Sequence, residues 1–473
     1  MKLAACSDLF ESSNARINEG MDMRSCLLSL AALVSLVGPS VAQTVDLTES
    51  PLKDACFRVQ MSMVLDGKVT VQQEGTSKSF PHQARASHEY LERVLDAKDN
   101  RGDRAARLYS QASVEFPSHK TPTKNELRVE RRLQALYRDK KQLVSFSPRG
   151  PMTREEMEVT EHLDTLALPG LLPGRATKVG ESWKLSTSVV ESLCAFEGME
   201  SNELTAKLAK VEGDRAFIAI QGTAKGISLG ASATLLVNAQ AIFDAQSKRI
   251  VGLEWKQSDQ RTQGPVSPAL SADVEIRVVR EAIEQPKQLS DLALVIVPSG
   301  SPPAELTELV FRDAKKGMYE IRHAREWHVV SQQDGRLVLR LLSSRGDFVA
   351  QCTLTPWRKV GASGPLKLEE FADLMAKSPG WQQETELEKE QPKSSEGYTI
   401  YRVTASGKLV NVAAVQSFYL VIGKNGEQLI GAFTMTPAMA RELASRDVTL
   451  IESLRFLKEE NVGAGSALPP SGN

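Results

Sequence analysis

The stretch CFRVQMSMVLDGKVTVQQEG, residues 56–75, alternates with a period of two. Phe57, Val59, Met61, Met63 and Leu65 take one side, and Arg58, Gln60, Ser62 and Val64 take the other. Successive side chains of a strand point to opposite faces, so this pattern calls for a strand with one face buried. Asp66-Gly67 reads as a hairpin turn, because glycine tolerates positive φ, and Val69 and Val71 continue into a second strand. Short segments of mixed polarity recur at 88–97, 104–116, 126–137 and 141–148, separated by Gly, Asp, Asn, Lys or Pro. Turn signals at this spacing favour strands, although 126–138 also reads as a basic amphipathic helix.

Residues 151–159 read as a loop and a short helix, with Thr153 as cap and Glu156 as its capping-box partner. Strand-like runs resume at 203–213, 215–226, 233–262 and 272–283. Gly222, Gly226 and Gly230 lie among strand residues, which makes them bulges or tight bends rather than a phosphate loop. The reading for 43–285 is a mainly antiparallel β domain, closed as a curved sheet or a partly open barrel.

Residues 286–314 are Pro-rich and read as a linker holding a short strand-like LALVIV. Beyond it, 315–458 read β-β-β-α-β-β-β-α, with hairpins at Asp334-Gly335 and Lys424-Asn425-Gly426. The helix at 367–378 turns Leu368, Phe371, Ala372, Leu374 and Met375 to one side. Thr436 and Pro437 open a terminal helix. The expected class is therefore α+β, and the tail 459–473 reads as disordered.

The start of the chain carries an address. Arg24, the apolar run Cys26–Val37 and Ser40-Val41-Ala42 make a secretion signal with cleavage before Gln43. The run is too short for a membrane anchor. Residues 1–20 read as a mis-called leader, with Met21 or Met23 as the true start, or as a genuine long leader. The expectation is a soluble exported protein, periplasmic or extracellular. Net charge is −1, with no basic excess to suit nucleic acid. Export leads to an oxidising compartment. Cys56 and Cys194 fall in one predicted domain and are the disulfide candidates, with Cys352 left as a buried thiol; three buried free thiols are the alternative.

Two resemblances follow from these pieces. The first domain loosely resembles the half-barrel of periplasmic lipoprotein carriers. Its ordered fragments CFRV, ARLYSQA, SPRGPMTREE, KVGESWKL and FDAQSKRIVGL look like a family of uncharacterised secreted proteins of planctomycete-type bacteria. The fragments YEIRHAREW and ESLRF resemble the PsbP-like sandwich, an antiparallel sheet with two packed helices. None of these resemblances implies a catalytic residue.

Chemistry-bearing motifs are weak throughout. His323 and His328 do not share a face, and His82 and His88 suggest no metal site. There is no nucleophile elbow and no P-loop. Glu155-Glu156 and Glu369-Glu370 suit the first turns of helices. Arg131, Arg132, Arg138 and Lys140 read as a solvated basic face. Trp357 and Trp381 flank the helix of the second domain and are candidate rims of a groove. No catalytic residue, metal or cofactor is expected. The reading is a non-enzymatic binding or adapter protein of the envelope, partnered by another envelope protein. The alternative is a carrier of an apolar, lipid-like ligand along 57–65 and 217–220, and an unrecognised hydrolase comes third.

Overall fold

The computed structural model describes residues 43–458, apart from 50–51, 74, 99–100, 119–120, 140–141 and 363. The expected leader, secretion signal and disordered tail lie outside the described residues. Among those described, thirteen strands form one antiparallel sheet, and Cys56–Gln73 lies near its middle, between Thr76–Lys98 and Ala269–Ile283. Register carries the alternation across the sheet. Met63 faces Ile276, which faces Trp255, then Ala239, Ile220 and Ala206. All six are buried, so one face is a continuous apolar surface.

Cys56–Gln73 runs straight through Asp66-Gly67, contrary to the expected hairpin. The glycine serves a close approach instead. A Cβ at Gly67 would lie 2.4 Å from the Ser271 carbonyl oxygen of the neighbouring strand. The chain reverses nearer Gly75, whose φ is +76°. Leu229 and Gly230, at φ 54° and 70°, form a tight two-residue turn between Arg215–Ser228 and Ala231–Asp244. Asp334 and Gly335, at 53° and 78°, do the same between Trp327–Gln333 and Arg336–Leu342.

Residues 286–298 fold as turns, not as a strand. Leu289 and Leu294 pack on Ala106 and Leu133, on the outer face of the large sheet. Beyond them, Leu309–Asp313, Tyr319–His323 and Arg455–Phe456 form a small sheet, beside a seven-stranded one running from Trp327–Gln333 to Trp381–Glu390. In its strand Val412–Ile422, Tyr419 and Val421 enter one core, while Phe418, Leu420 and Ile422 enter another. The second core lies under the helix Leu368–Ala376, where Phe371, Ala372 and Met375 are buried. Leu374, expected on that face, is 40% exposed.

The α+β class is corrected by this architecture. Strand accounts for 57% and helix for 13%, so the chain is mainly β. The expected PsbP-like sheet with two packed helices does not hold. Trp381–Glu390 adds a strand that the expected order lacked, and the terminal helix is two short pieces, Ala440–Leu443 and Arg446–Glu452. Ala444 breaks it at φ 51°.

Candidate functional site

The apolar face of the large sheet is covered by its own chain. A 3-10 turn, Thr165–Leu171, starts at Asp164, whose side chain accepts from the Leu166 N–H. A helix, Thr187–Leu193, starts at Ser186, which accepts from the Val189 N–H. The two pack together, and a Cβ at Gly170 would lie 2.3 Å from a Val189 methyl carbon. Trp183 Nε1 donates to the Leu171 carbonyl at 3.0 Å. Leu166, Leu168, Leu171, Val190 and Leu193 join the same core as Val59, Met63, Ile218 and Ile220. The segments 161–172 and 186–196 thus act as a plug.

Charged groups are sunk beneath the plug. Arg107 Nε donates to Glu92 Oε2 at 2.8 Å, and its Nη2 donates to Thr165 Oγ1 at 2.8 Å. The Arg107–Glu92 side chains are 4% and 0% exposed. Arg138 donates to Asp164 Oδ2 at 2.8 Å and to the Gly102 carbonyl. Thus Arg138, read from sequence as part of a solvated face, is buried and anchors the plug.

His88 and His162 stack beside this network, with ring centroids 5.0 Å apart and planes 5° off parallel. Tyr109 meets His88 edge-on at 6.2 Å. Burial lowers the pKa of His88 to about 4; the Val159 backbone raises it slightly and the Arg107 charge lowers it further. Burial, with His88 alongside, holds His162 well below the usual histidine range. Among the described residues, nothing hydrogen-bonds to either ring nitrogen of His162.

His162 lines a pocket of about 110 Å³ between the plug and the strands Leu133–Asp139 and Gln142–Phe146. Its apolar wall is Leu136, Leu143, Leu163, Leu193 and Phe196, and its polar wall includes Arg107, Glu161, Asp164 and Glu191. A second pocket shares Gln142, Leu143 and Glu161 with it and reaches Arg325 and His328. Arg325 Nη1 donates to Glu161 Oε1 at 2.9 Å, and Nη2 donates to the Ser145 carbonyl. Arg154 returns the contact, donating to the carbonyls of Arg325 and Trp327 at 3.1 and 2.8 Å. The second part of the chain is therefore fastened to residues that wall the first pocket.

The residues singled out from sequence lie elsewhere. Cys56 and Cys194 are both buried and are not joined in a disulfide. Cys56 opens a sheet strand, with Sγ 3.7 Å from the Asp54 carbonyl, while Cys194 ends the plug helix. Cys352 is also a buried free thiol. Trp357 and Trp381 do meet one cluster with Phe371 and Met375. Trp381 is buried there, edge-on to Phe418, and Arg358 lies over Trp357. His323 is buried, with Nδ1 2.9 Å from the Ala324 carbonyl, away from the pocket. Glu156 closes the expected capping box with Thr153 and accepts from the Arg128 guanidinium at 2.5 and 2.7 Å and from the Arg128 N–H at 3.3 Å. Sequence reasoning missed His162, Arg107 and Glu92. The available signal was His162, Asp164 and Thr165 interrupting a leucine-rich run.

No family model and no curated protein matches the chain. Solved structures give faint likenesses. Cyanobacterial PsbP from Synechocystis sp. PCC 6803 matches at 13% identity, covering 34% of this chain and 96% of that one, with a TM-score of 0.25. Lipovitellin matches at 9%, covering 50% and 26%, with a TM-score of 0.28. A DUF1329 family protein from Desulfovibrio piger ATCC 29098 matches at 10%, covering 50% and 88%, with a TM-score of 0.09. Scores this low bear no weight for fold or function.

Proposed function

We propose that this chain is a non-enzymatic, exported binding protein that holds a small ligand in the pocket between plug and sheet. The observation that carries the reading is the pocket itself, with an apolar wall of Leu136, Leu143, Leu163, Leu193 and Phe196 opposite a wall that includes Arg107, Glu161, Asp164 and Glu191. The pocket favours a small guest over a lipid. Drug-sized ligands occupy roughly 300–1,000 Å³, several times the 110 Å³ here. The faces at 57–65 and 217–220, where a lipid-like ligand was expected, belong to a core already filled by the plug.

His162 is poorly tuned for base catalysis. A general base works best with a pKa near the operating pH. Burial holds His162 well below its ordinary value, so it is a weak proton acceptor at neutral pH. Arg107 and Asp164 are each engaged by a buried partner, which suits a fixed wall.

The test is extraction. Purified protein is denatured in organic solvent and the released small molecules are identified by mass. The wild type should release one compound near stoichiometry, and Leu143→Trp, which fills the pocket, should release none. Equal release from both proteins would contradict the reading.

A further inference from the structure

We infer that the turn 291–296 docks the protein on the surface of a lipid bilayer, sinking Leu292, Val295 and Ile296 among neutral lipids. The run LALVIV reads as strand-like, but it turns, and the turning splits its side chains. Leu289 and Leu294 go down onto Ala106 and Leu133. Leu292, Val295 and Ile296, at positions i, i+3 and i+4, are left 85%, 77% and 45% exposed. The turn is pinned on both sides. Arg93 Nη1 donates to the Leu289 carbonyl at 3.0 Å and pairs with Asp291 at 2.7 Å, and Arg104 Nη2 donates to the Pro298 carbonyl. Within it, the Leu294 N–H donates to the Ser290 carbonyl at 3.0 Å, and the Val297 N–H to the Leu294 carbonyl at 2.9 Å. The exposed side chains are thus held away from the sheet, over leucines that already occupy it.

A lipid surface fits this feature better than a protein does. Side chains as exposed as Leu292 and Val295 stand out from the surface rather than line a groove. A stable protein interface buries about 800 Å² on each partner, and three aliphatic side chains fall far short of that. Interface hot spots favour Trp, Tyr and Arg, with Leu and Val under-represented. A bilayer asks for no matching shape and rewards each apolar side chain sunk into the acyl boundary. Charge points to neutral lipid. From 284 to 301 the charged side chains are Glu284, Lys287 and Asp291, so no basic cluster is there to seek anionic headgroups. Size sets the strength. The three side chains together hold about as many carbons as a short acyl chain, and one myristoyl chain gives an association constant of about 10⁴ M⁻¹. Docking through the turn is therefore weak and reversible, at about 10³–10⁴ M⁻¹.

The test is co-sedimentation of the whole protein with phosphatidylcholine vesicles at millimolar lipid. The wild type should sediment with them, with little change when salt is raised or anionic lipid is mixed in. The triple variant Leu292→Ser, Val295→Ser, Ile296→Ser should bind at least about tenfold more weakly. Its urea midpoint should stay at the wild-type value, because these side chains touch little in the folded chain. Leu292→Trp should bind at least as tightly as the wild type. With vesicles its emission should shift to the blue beyond any shift of the wild type, which puts the turn in the bilayer. Wild type left in the supernatant, or a triple variant that sediments equally, would overturn the inference. Binding that needs anionic lipid and is lost in salt would overturn it too. So would a protein that ignores vesicles but forms dimers by light scattering that the triple variant abolishes, since a second copy would then be the occupant. None of these outcomes depends on the pocket.

Discussion

His88 and His162 lie 74 positions apart in the chain. They meet because the plug folds over the sheet. Their stack has a consequence for stability. In an unfolded chain a histidine titrates near 6.5. Folded, burial lowers His88 to about 4 and holds His162 well down. Between those values the unfolded state binds more protons, so their contribution is complete above pH 6.5 and is lost as pH falls towards 4. From pH 7.5 to 5 the loss is about 2 kcal/mol for His88, and His162 adds to it with the same sign. Urea unfolding at the two pH values should show it, and the His88→Phe, His162→Phe double variant should be flatter by at least about 2 kcal/mol. An unchanged pH dependence in that variant would refute the account. His323, lowered by burial and by the Arg154 charge to about 3, adds the same sign in the second part of the chain.

Glu92 supplies a second test at this scale. Removing one partner of a buried ion pair typically costs about 3–5 kcal/mol, because the other charge is stranded. Glu92→Ala should lose that much in urea unfolding, and Glu92→Ala combined with Arg107→Met should recover most of it. None of this was legible locally. Glu92 and Arg107 sit in strands whose alternation was readable, but their facing positions depend on the register of Thr76–Lys98 against Arg101–Phe116. His162 carried no spacing signal, since its neighbour in space comes from another element.

At the scale of elements, local chemistry was read well where one residue decides the backbone. The capping box of Thr153 and Glu156 formed, as did the turn at Asp334-Gly335. It was misread where a residue answers to a neighbouring strand. Gly67 reads as a turn until Ser271 is beside it. The plug escaped notice as an element because its Pro/Gly-rich sequence looks like a crossing loop. Its packing depends on Gly170. A methyl group there collides with Val189, which is stiff and buried. Overpacking of this kind costs about 1–3 kcal/mol. Gly170→Ala should lose that stability, and Val189→Ala should relieve much of the loss. A double-mutant cycle reads the coupling, and full additivity would show that the two do not press on each other.

For the whole molecule, the β character of the first domain was legible because period two persists over many strands. The extent of strand in the second was not, since Trp381–Glu390 is charged and mostly exposed, without alternation. The disulfide expectation failed for a related reason: a shared domain does not bring two cysteines together. Alkylation checks the thiols. Burial raises the pKa of Cys194 to about 12 and pushes up those of Cys56 and Cys352. Folded protein should resist alkylation at pH 8. Unfolded without reductant, it should take one label at each of the three; a missing pair would mean a bridge.

The most direct measurement is a high-resolution crystal structure of protein purified from its native source without denaturant. The account predicts continuous non-protein density between the plug and the strand Gln142–Phe146, in contact with Leu143, Leu163 and Phe196. A pocket holding only ordered waters, or collapsed so that protein side chains fill it, would contradict it.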